Sequence, residues 1–487
     1  MVKKAAIALV VIAAIGGALY VGGLRIALDG SGMLPRFVSA APDYDALEAD
    51  RARQRSAPAP SPAAEGRAPI ESAPPASGSP PGVPESSGES SRPVEPAPRQ
   101  PSPAVWPDFR GPSRDGRTTE AIRLDWPAEG LPQLWKQPIG LGYASFVVAD
   151  GRAFTIEQRR RQEVVAAYDV ETGRERWTNA WDGEFVESMG GDGPRATPTY
   201  HDGRVYALGA LGEFRSLDAA TGAVAWRRNI LEDNGASNID WGMSASPLVV
   251  DDKVVVLPGG SRGRSVVAYN RATGDVAWRA LDDRQAYVSP MLVTLAGTRQ
   301  IVTVSATRAV GLDPAAGALL WEYPWPTGQG INVAQPLLLG NDRVFLSASY
   351  GQGAAVFQVE RDGDRFRTRR IWENSRMKNK FTSSLLHEGY LYGLDESILA
   401  CLDAATGELK WKGGRYGYGQ PILAGGHIVV LTEAGDVVLV RATPERHDEV
   451  ARFSAIEGKT WNHPVIANGR LLVRNLREMA AFDIRPR

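Results

Sequence analysis

The sequence predicts an all-β chain: an eight-bladed β-propeller of four-stranded antiparallel blades, preceded by one N-terminal transmembrane helix and a disordered linker. Three observations predict it. A signature of the form Asp-x-x-Thr-Gly-x-x-x-Trp recurs along the C-terminal three quarters of the chain. Tight-turn signals between apolar runs recur over the same stretch. The first hundred residues, by contrast, hold an apolar stretch and then a Pro/Ser/Ala tract, neither of which has the composition of a folded core. The division expected is 1–30 as membrane anchor or uncleaved signal, 31–103 as linker and 104–487 as propeller.

Lys3 and Lys4 precede Ala5 to Leu24, an uncharged stretch that as a helix would span about 30 Å, the thickness of a bilayer core. The expectation is an uncleaved anchor with the N-terminus in the cytoplasm and the bulk of the chain exported to the periplasm or otherwise outside the cytoplasm. Ala57 to Pro103 is dense in proline, serine, alanine and glycine, with too few apolar side chains to offset the entropy of ordering. It reads as a tether, about 145 Å long if fully polyproline II and about 40 Å as a flexible coil.

The repeat appears as Asp169, Thr172, Gly173, Trp177; as Asp218, Thr221, Gly222, Trp226; and as Asp403, Thr406, Gly407, Trp411. Asn270 to Trp278 and Asp313 to Trp321 are variants, Trp372 and Phe453 close degenerate copies, and Trp135 opens the series while Ala481-Phe482-Asp483 ends it. Turn signals fall at Asp150-Gly151, Asp202-Gly203, Asp251-Asp252, Gly297-Thr298, Asn341-Asp342, Glu388-Gly389, Gly425-Gly426 and Asn468-Gly469. Both counts reach eight, and turn spacings of 37 to 52 residues, each unit carrying four short strands, match the period of propeller blades. The half-repeats at the two ends complete one another: Leu134 to Ile139 supplies the outer strand of a last blade whose inner three strands come from the C-terminus. In each copy Asp and Thr-Gly make the hairpin. The indole then docks on the neighbouring sheet, so Trp135, Trp177, Trp226, Trp278, Trp321, Trp372 and Trp411 are expected as structural cement. A small residue two before each Asp, including Cys401, leaves room for a ring.

Composition excludes several function classes. With 55 basic and 56 acidic residues the formal net charge is -1, which removes the broad positive field that nonspecific nucleic-acid binding uses. One cysteine rules out a disulfide framework and multi-cysteine metal sites. No HExxH, GxxxxGK[ST] or GxSxG motif is present.

The Trp repeats resemble the tryptophan-docking motif of the pyrroloquinoline-quinone (PQQ)-like propeller superfamily, which includes eight-bladed quinoprotein alcohol dehydrogenases and BamB-like outer-membrane assembly factors. The resemblance runs from Trp135 to Asp483. Trp106-Pro-Asp-Phe-Arg-Gly-Pro-Ser-Arg-Asp-Gly116 and Gly193-Pro-Arg-Ala-Thr-Pro198 are similar to segments of PQQ-binding-like bacterial proteins. It implies a membrane-tethered envelope binding or scaffold module, BamB-like in protein assembly, with envelope proteins as partners and no cofactor. The alternative it implies is a PQQ- and Ca²⁺-dependent oxidoreductase acting on an alcohol or sugar. The adjacent cysteine pair of the eight-bladed quinoprotein dehydrogenases is missing here, and so is any CxxCH haem motif.

Strand order places the A-to-B and C-to-D turns on one face and the longer D-to-A and B-to-C loops on the other, so binding is expected on the loop face. Residues just before each strand A converge there: Glu187, Asp192, Arg195, Asn238, Asp240, Trp241, Asn332, Lys380 and Trp461, with Asn475 from a B-to-C loop. Aromatic faces with Arg and Lys suit a small planar anionic ligand; the alternative is that these groups hydrogen-bond one another and water to plug the channel. No catalytic residue and no metal-ligand set is assigned. His201, His387 and His427, beside the short turns, are expected to be solvated.

Overall fold

The computed structural model describes residues 14–17, 19, 24–26, 35–37, 43–56 and 105–486. Eight four-stranded antiparallel sheets make up the body. Blade 1 runs Val147–Ala149, Arg152–Arg159, Gln162–Asp169 and Glu175–Asp182 as strands A to D. Blades 2 to 7 follow at 199–229, 248–280, 291–324, 337–374, 385–415 and 420–454. Blade 8 takes Val465–Ala467, Arg470–Arg474 and Glu478–Asp483 as strands A to C and Gln133–Pro138 as strand D. The ring therefore closes as the two half-repeats require. Seven of the eight A-to-B turns hold both central residues at positive φ, as at Asp150-Gly151 (50° and 69°) and Asn468-Gly469 (53° and 69°). That conformation matches the right-handed twist of the flanking strands.

The indoles dock as their spacing predicts. Trp135 Nε1 donates to Val170 O of blade 1 at 3.0 Å, Trp177 to Ala219 O of blade 2 at 3.1 Å and Trp226 to Arg271 O of blade 3 at 2.9 Å. Trp278, Trp372 and Trp411 repeat the bond to the following blade. The signature Gly is needed for more than its positive φ: a Cβ on Gly173 would lie 2.7 Å from the Trp135 ring. The small residues before each Asp face the ring of their own blade across the C–D pair, as in Ala167↔Trp177 and Cys401↔Trp411. Burial pushes the Cys401 thiol up to about 12, consistent with a packing role. At the closing blade Gly130, at φ 95°, takes the place of the signature Gly, lying under Phe453 of blade 7. Trp321 departs from the pattern. Its Nε1 bonds Gln300 of its own blade, because blade 5 replaces the Thr-Gly turn with the longer hairpin 353–374.

Two N-terminal pieces pack on the ring. Residues 105–123 fill the turn-face mouth of the channel. Trp106 N donates to Val148 O of blade 1, Pro107 O accepts from Tyr200 N of blade 2, Leu423 of blade 7 exchanges bonds with Gly116 and Thr118, and Arg123 N donates to Ile484 O. Arg110 and Arg114 are buried in this plug. Arg114 reaches Ser246 O, Pro247 O and Pro290 O of blades 3 and 4 and pairs with Asp108 at 2.7 Å. Arg110 donates to Ser384 O of blade 6 at 3.1 Å.

The second piece, helix α1 (Tyr44–Ser56), lies within the 31–103 stretch expected as linker, and composition did not announce it. It packs across the seam between blades 8 and 1. Arg51, fully buried, bonds Pro138 O and stacks over Tyr168; Arg55 pairs with Glu175, Glu48 with Arg159 at 3.0 Å and Asp45 with Arg160. The expected span Ala5 to Leu24 and the tether Ala57 to Pro103 lie wholly or mostly outside the described residues. Among the described residues no helix is long and apolar enough to cross a membrane. One expectation on the turn face is corrected: His427 is buried, bonding Gly425 O at 2.9 Å, because the opening of strand B carries it under the turn. His201 remains partly exposed beside Asp202.

Candidate functional site

Each D-to-A loop ends at strand A, and eight equivalent positions there form two rings around the channel. The inner ring is Ser145, Thr197, Ser246, Ser289, Gln335, Ser383, Gln420 and His463. Its members join blade to blade: Thr197 Oγ1 accepts from Ser145 N at 2.9 Å, Ser289 Oγ from Ser246 N at 2.9 Å, Gln335 Oε1 from Ser289 N at 2.8 Å and Ser383 Oγ from Gln335 N at 3.0 Å. Buried polar groups so paired hold the strand A ends in register. Two residues earlier in each copy stand Tyr143, Arg195, Ser244, Tyr287, Val333, Phe381, Tyr418 and Trp461. All but Tyr418 line a cavity of about 270 Å³ on the loop face.

Phe109 of the plug contributes to the lining, and its ring meets that of His463 edge-on at 4.8 Å. The cavity is therefore blind: the turn-face mouth is occupied by the chain itself. One arc of the wall is a ladder, Tyr143 stacked on Trp461 at 5.3 Å and Trp461 against Phe381 at 4.7 Å. The other holds Trp241 and Tyr287, in edge contact at 5.7 Å, with Tyr350 from the B-to-C loop of blade 5. Two cations line it. Arg195 lies over Tyr143 and Phe185, its guanidinium oriented by Gly191 O and Gly193 O at 2.7 Å. Lys380 sits 4.7 Å over the Tyr418 ring and 5.1 Å over Phe381. Such contacts are worth roughly 0.5–1 kcal/mol each where solvent reaches them. Lys459 lies over Trp461 at 4.2 Å and donates to Gly190 O at 2.5 Å.

No carboxylate lines the cavity. Burial holds the Arg195 guanidinium below its ordinary range, and burial with the neighbouring Arg110 charge drives His463 well below the usual imidazole value, so it is neutral at physiological pH. The His463 Nδ1 is buried and finds no partner among the described residues. Burial also pushes Tyr287 up to about 12 and Tyr350 up further.

Of the ten residues expected on sequence grounds, Arg195, Trp241, Lys380 and Trp461 line the cavity. The others stand around it. Glu187 is consumed by its own loop, accepting from Met189 N and Gly190 N and facing Arg195 at 3.7 Å, while Asp192 accepts from Glu187 N at 2.9 Å. Asn238 and Asp240 are exposed, the former donating to Ala210 O. Asn332 and Asn475 are buried braces, bonding Ser305 O and Glu457 O. Sequence reasoning missed Tyr143, Tyr287, Tyr350 and Phe381. For three of these the signal existed: Tyr143, Tyr287 and Phe381 occupy the same repeat position as Arg195 and Trp461.

A quinone held against Ca²⁺ needs carboxylate oxygens beside the ring. Two acidic groups near this cavity are engaged elsewhere, Glu187 on its loop and Glu433 on Trp461 Nε1 at 3.0 Å and Tyr418 N, and neither lines it. Among the described residues no group of three His, Cys, Asp or Glu could hold a metal ion. The donor set does not fit a Ca²⁺–quinone pair, and no catalytic step is assigned through one.

Comparison with known proteins places these features. The family model described as outer membrane protein assembly factor BamB matches residues 132–240 and 160–413. A curated outer membrane protein assembly factor BamB of Bordetella pertussis is 23% identical over 345 residues, covering 62% of this chain and 84% of that protein. Among solved structures, BamB from Moraxella catarrhalis superposes with a TM-score of 0.51 at 17% identity, over 72% of this chain and 99% of that one. The quinohemoprotein alcohol dehydrogenase of Comamonas testosteroni does so with 0.57 at 14% identity, over 78% and 81%. These structural likenesses are likenesses of fold.

Proposed function

From the premise that this chain belongs to the family described as outer membrane protein assembly factor BamB, we propose that it is an envelope binding module that docks protein partners of outer membrane protein assembly on its loop face, tethered through the apolar segment Ala5 to Leu24. One observation carries the choice of face. The turn-face mouth is filled by the plug, whereas the loop face keeps an open aromatic cavity with exposed Met189 in its lining and exposed Val186 and Leu211 on neighbouring loops of that face. An apolar rim beside a pocket is the usual layout of a protein docking site. The PQQ- and Ca²⁺-dependent alternative has the fold in its favour and lacks the oxygen donors.

The test is site-specific photocrosslinking in intact envelopes. A photoreactive residue at Val186 or Met189 is expected to give discrete protein adducts, and one at Asp364, in the C-to-D turn of blade 5, none. Equal labelling from both faces, or none from Val186 and Met189, would reject the docking reading.

A further inference from the structure

We propose that the loop-face cavity is a metal-free site for a small organic acid built on one ring, taken either as an acidic sugar or as an aromatic acid. The inference rests on the reading of the loop face as the binding face and adds the chemistry of what the cavity holds. Charge comes first. Two cationic side chains, Arg195 and Lys380, line it and, among the described residues, no carboxylate does; Arg195 is partly balanced by Glu187 at 3.7 Å behind the wall, so Lys380 carries most of the charge that an anion would meet. Arg195 comes from the loop before blade 2 and Lys380 from that before blade 6, positions opposite one another in an eightfold ring, so a carboxylate finds a cation at either end of the cavity. Among the described residues no carboxylate pairs with Lys380, whose nearest contacts are the Tyr418 and Phe381 rings and the Tyr418 hydroxyl at 3.5 Å.

Shape comes next. The Tyr143–Trp461–Phe381 arc and the Trp241–Tyr287 arc offer ring faces from two sides, the arrangement that holds a sugar or an aromatic ring by stacking. A volume of about 270 Å³ is at the small end of ligand pockets, which suits one ring and is tight for a fused polycyclic acid. The polar groups within reach are the side chains of Ser244, Ser289, Ser383 and Gln329, together with His463, which lines the cavity while its Nδ1 is buried and unpartnered. No divalent cation is needed, since guanidinium and ammonium supply the charge.

The experiment uses the full chain with a chelator present throughout. D-glucuronate is titrated against D-glucose, and 4-hydroxybenzoate against 4-hydroxybenzyl alcohol, by calorimetry and by the fluorescence of Trp241 and Trp461. One acid should saturate with a Kd below about 1 mM and bind at least about tenfold more tightly than its neutral counterpart. Which acid does so decides between sugar and aromatic sources. Lys380→Gln should weaken that binding about tenfold while lowering the unfolding midpoint only slightly; because Lys380 is half-buried and makes no carboxylate contact among the described residues, the variant keeps the fold. Arg195→Gln should weaken it further. Failure of both acids to saturate, equal binding of the neutral counterparts, or binding that appears only with added Ca²⁺ would overturn the inference. Crosslinks at Val186 that persist when both acids fail would sink this inference alone, and acid binding without crosslinks would sink the docking reading alone.

Discussion

The two mouths of the channel are framed by the same eight inner strands and finished in opposite ways. From the turn face the plug sends Arg110 and Arg114 into the channel, where they cover backbone carbonyls at the starts of the inner strands and pair these buried acceptors internally. At the loop face the inner polar ring pairs its members blade to blade, and the aromatic ring outside it is left facing empty space. The structural need is met at both ends. The loop face keeps an aromatic cavity that the plug does not fill, which is the physical ground for proposing binding there.

The largest effect that could break this contrast is at the plug. Arg114→Met removes a buried cation that reaches three carbonyls and Asp108, and breaking such a pair typically costs about 3–5 kcal/mol. Urea unfolding should show that loss. A cost below about 1 kcal/mol would mean that the plug is incidental to the ring.

A second effect belongs to the loop-face side of the seam between blades 1 and 2. Glu163 is fully buried, accepts from Ala210 N at 2.7 Å and from Trp181 Nε1 at 2.9 Å, and has no basic partner among the described residues. Burial pushes it up to about 7 from an ordinary 4.5. A carboxyl raised on folding binds more protons in the folded state. Its stabilising contribution is therefore complete below about 4.5 and is lost as pH rises through about 7, a change of about 3 kcal/mol. Thermal midpoints at pH 5 and pH 8 should differ in the native chain by more than in Glu163→Gln. An identical pH response in both would put the cause elsewhere.

The smallest effect sharpens the contrast from the other end. Lys380→Gln should lower the unfolding free energy by only about 1 kcal/mol, the low end of what two solvent-reached ring contacts are worth. A loss of 2 kcal/mol or more, roughly the scale of a structural group, would show that Lys380 serves construction after all.

How much of this was legible in the sequence follows from what repeats. The blades could be counted because Trp177, Trp226 and Trp411 each dock under the same constraint on the next blade's turn, and a constraint met many times leaves a period. The cavity ring repeats by position and varies by residue, from Tyr143 to Arg195 to Val333, so a motif search passes over it. Tyr350, from a B-to-C loop, belongs to no repeat position at all. The plug and helix α1 are single-copy. The composition of α1 is polar and its burial depends on individual meetings such as Arg51 with Pro138 O and Tyr168, which no periodicity records. Trp321 shows the converse: its spacing was regular, but the longer hairpin of blade 5 removed the acceptor it would have used.

Helix α1 has a consequence for geometry at longer range. Ser56 closes that helix against the wall of blade 1, and Val105 is already bonded to Val148 of the same blade. The proline-rich passage between them thus leaves and rejoins one rigid body, and its contour length is slack that cannot lengthen the leash to any anchor ahead of it. Leu24 pairs with Phe37 in a short antiparallel hairpin, so only the stretch from Phe37 to Asp43 is left for that purpose, at most about 20 Å even if fully extended. If the proposed anchor at Ala5 to Leu24 sits in a membrane, the ring could sweep only a narrow shell above it.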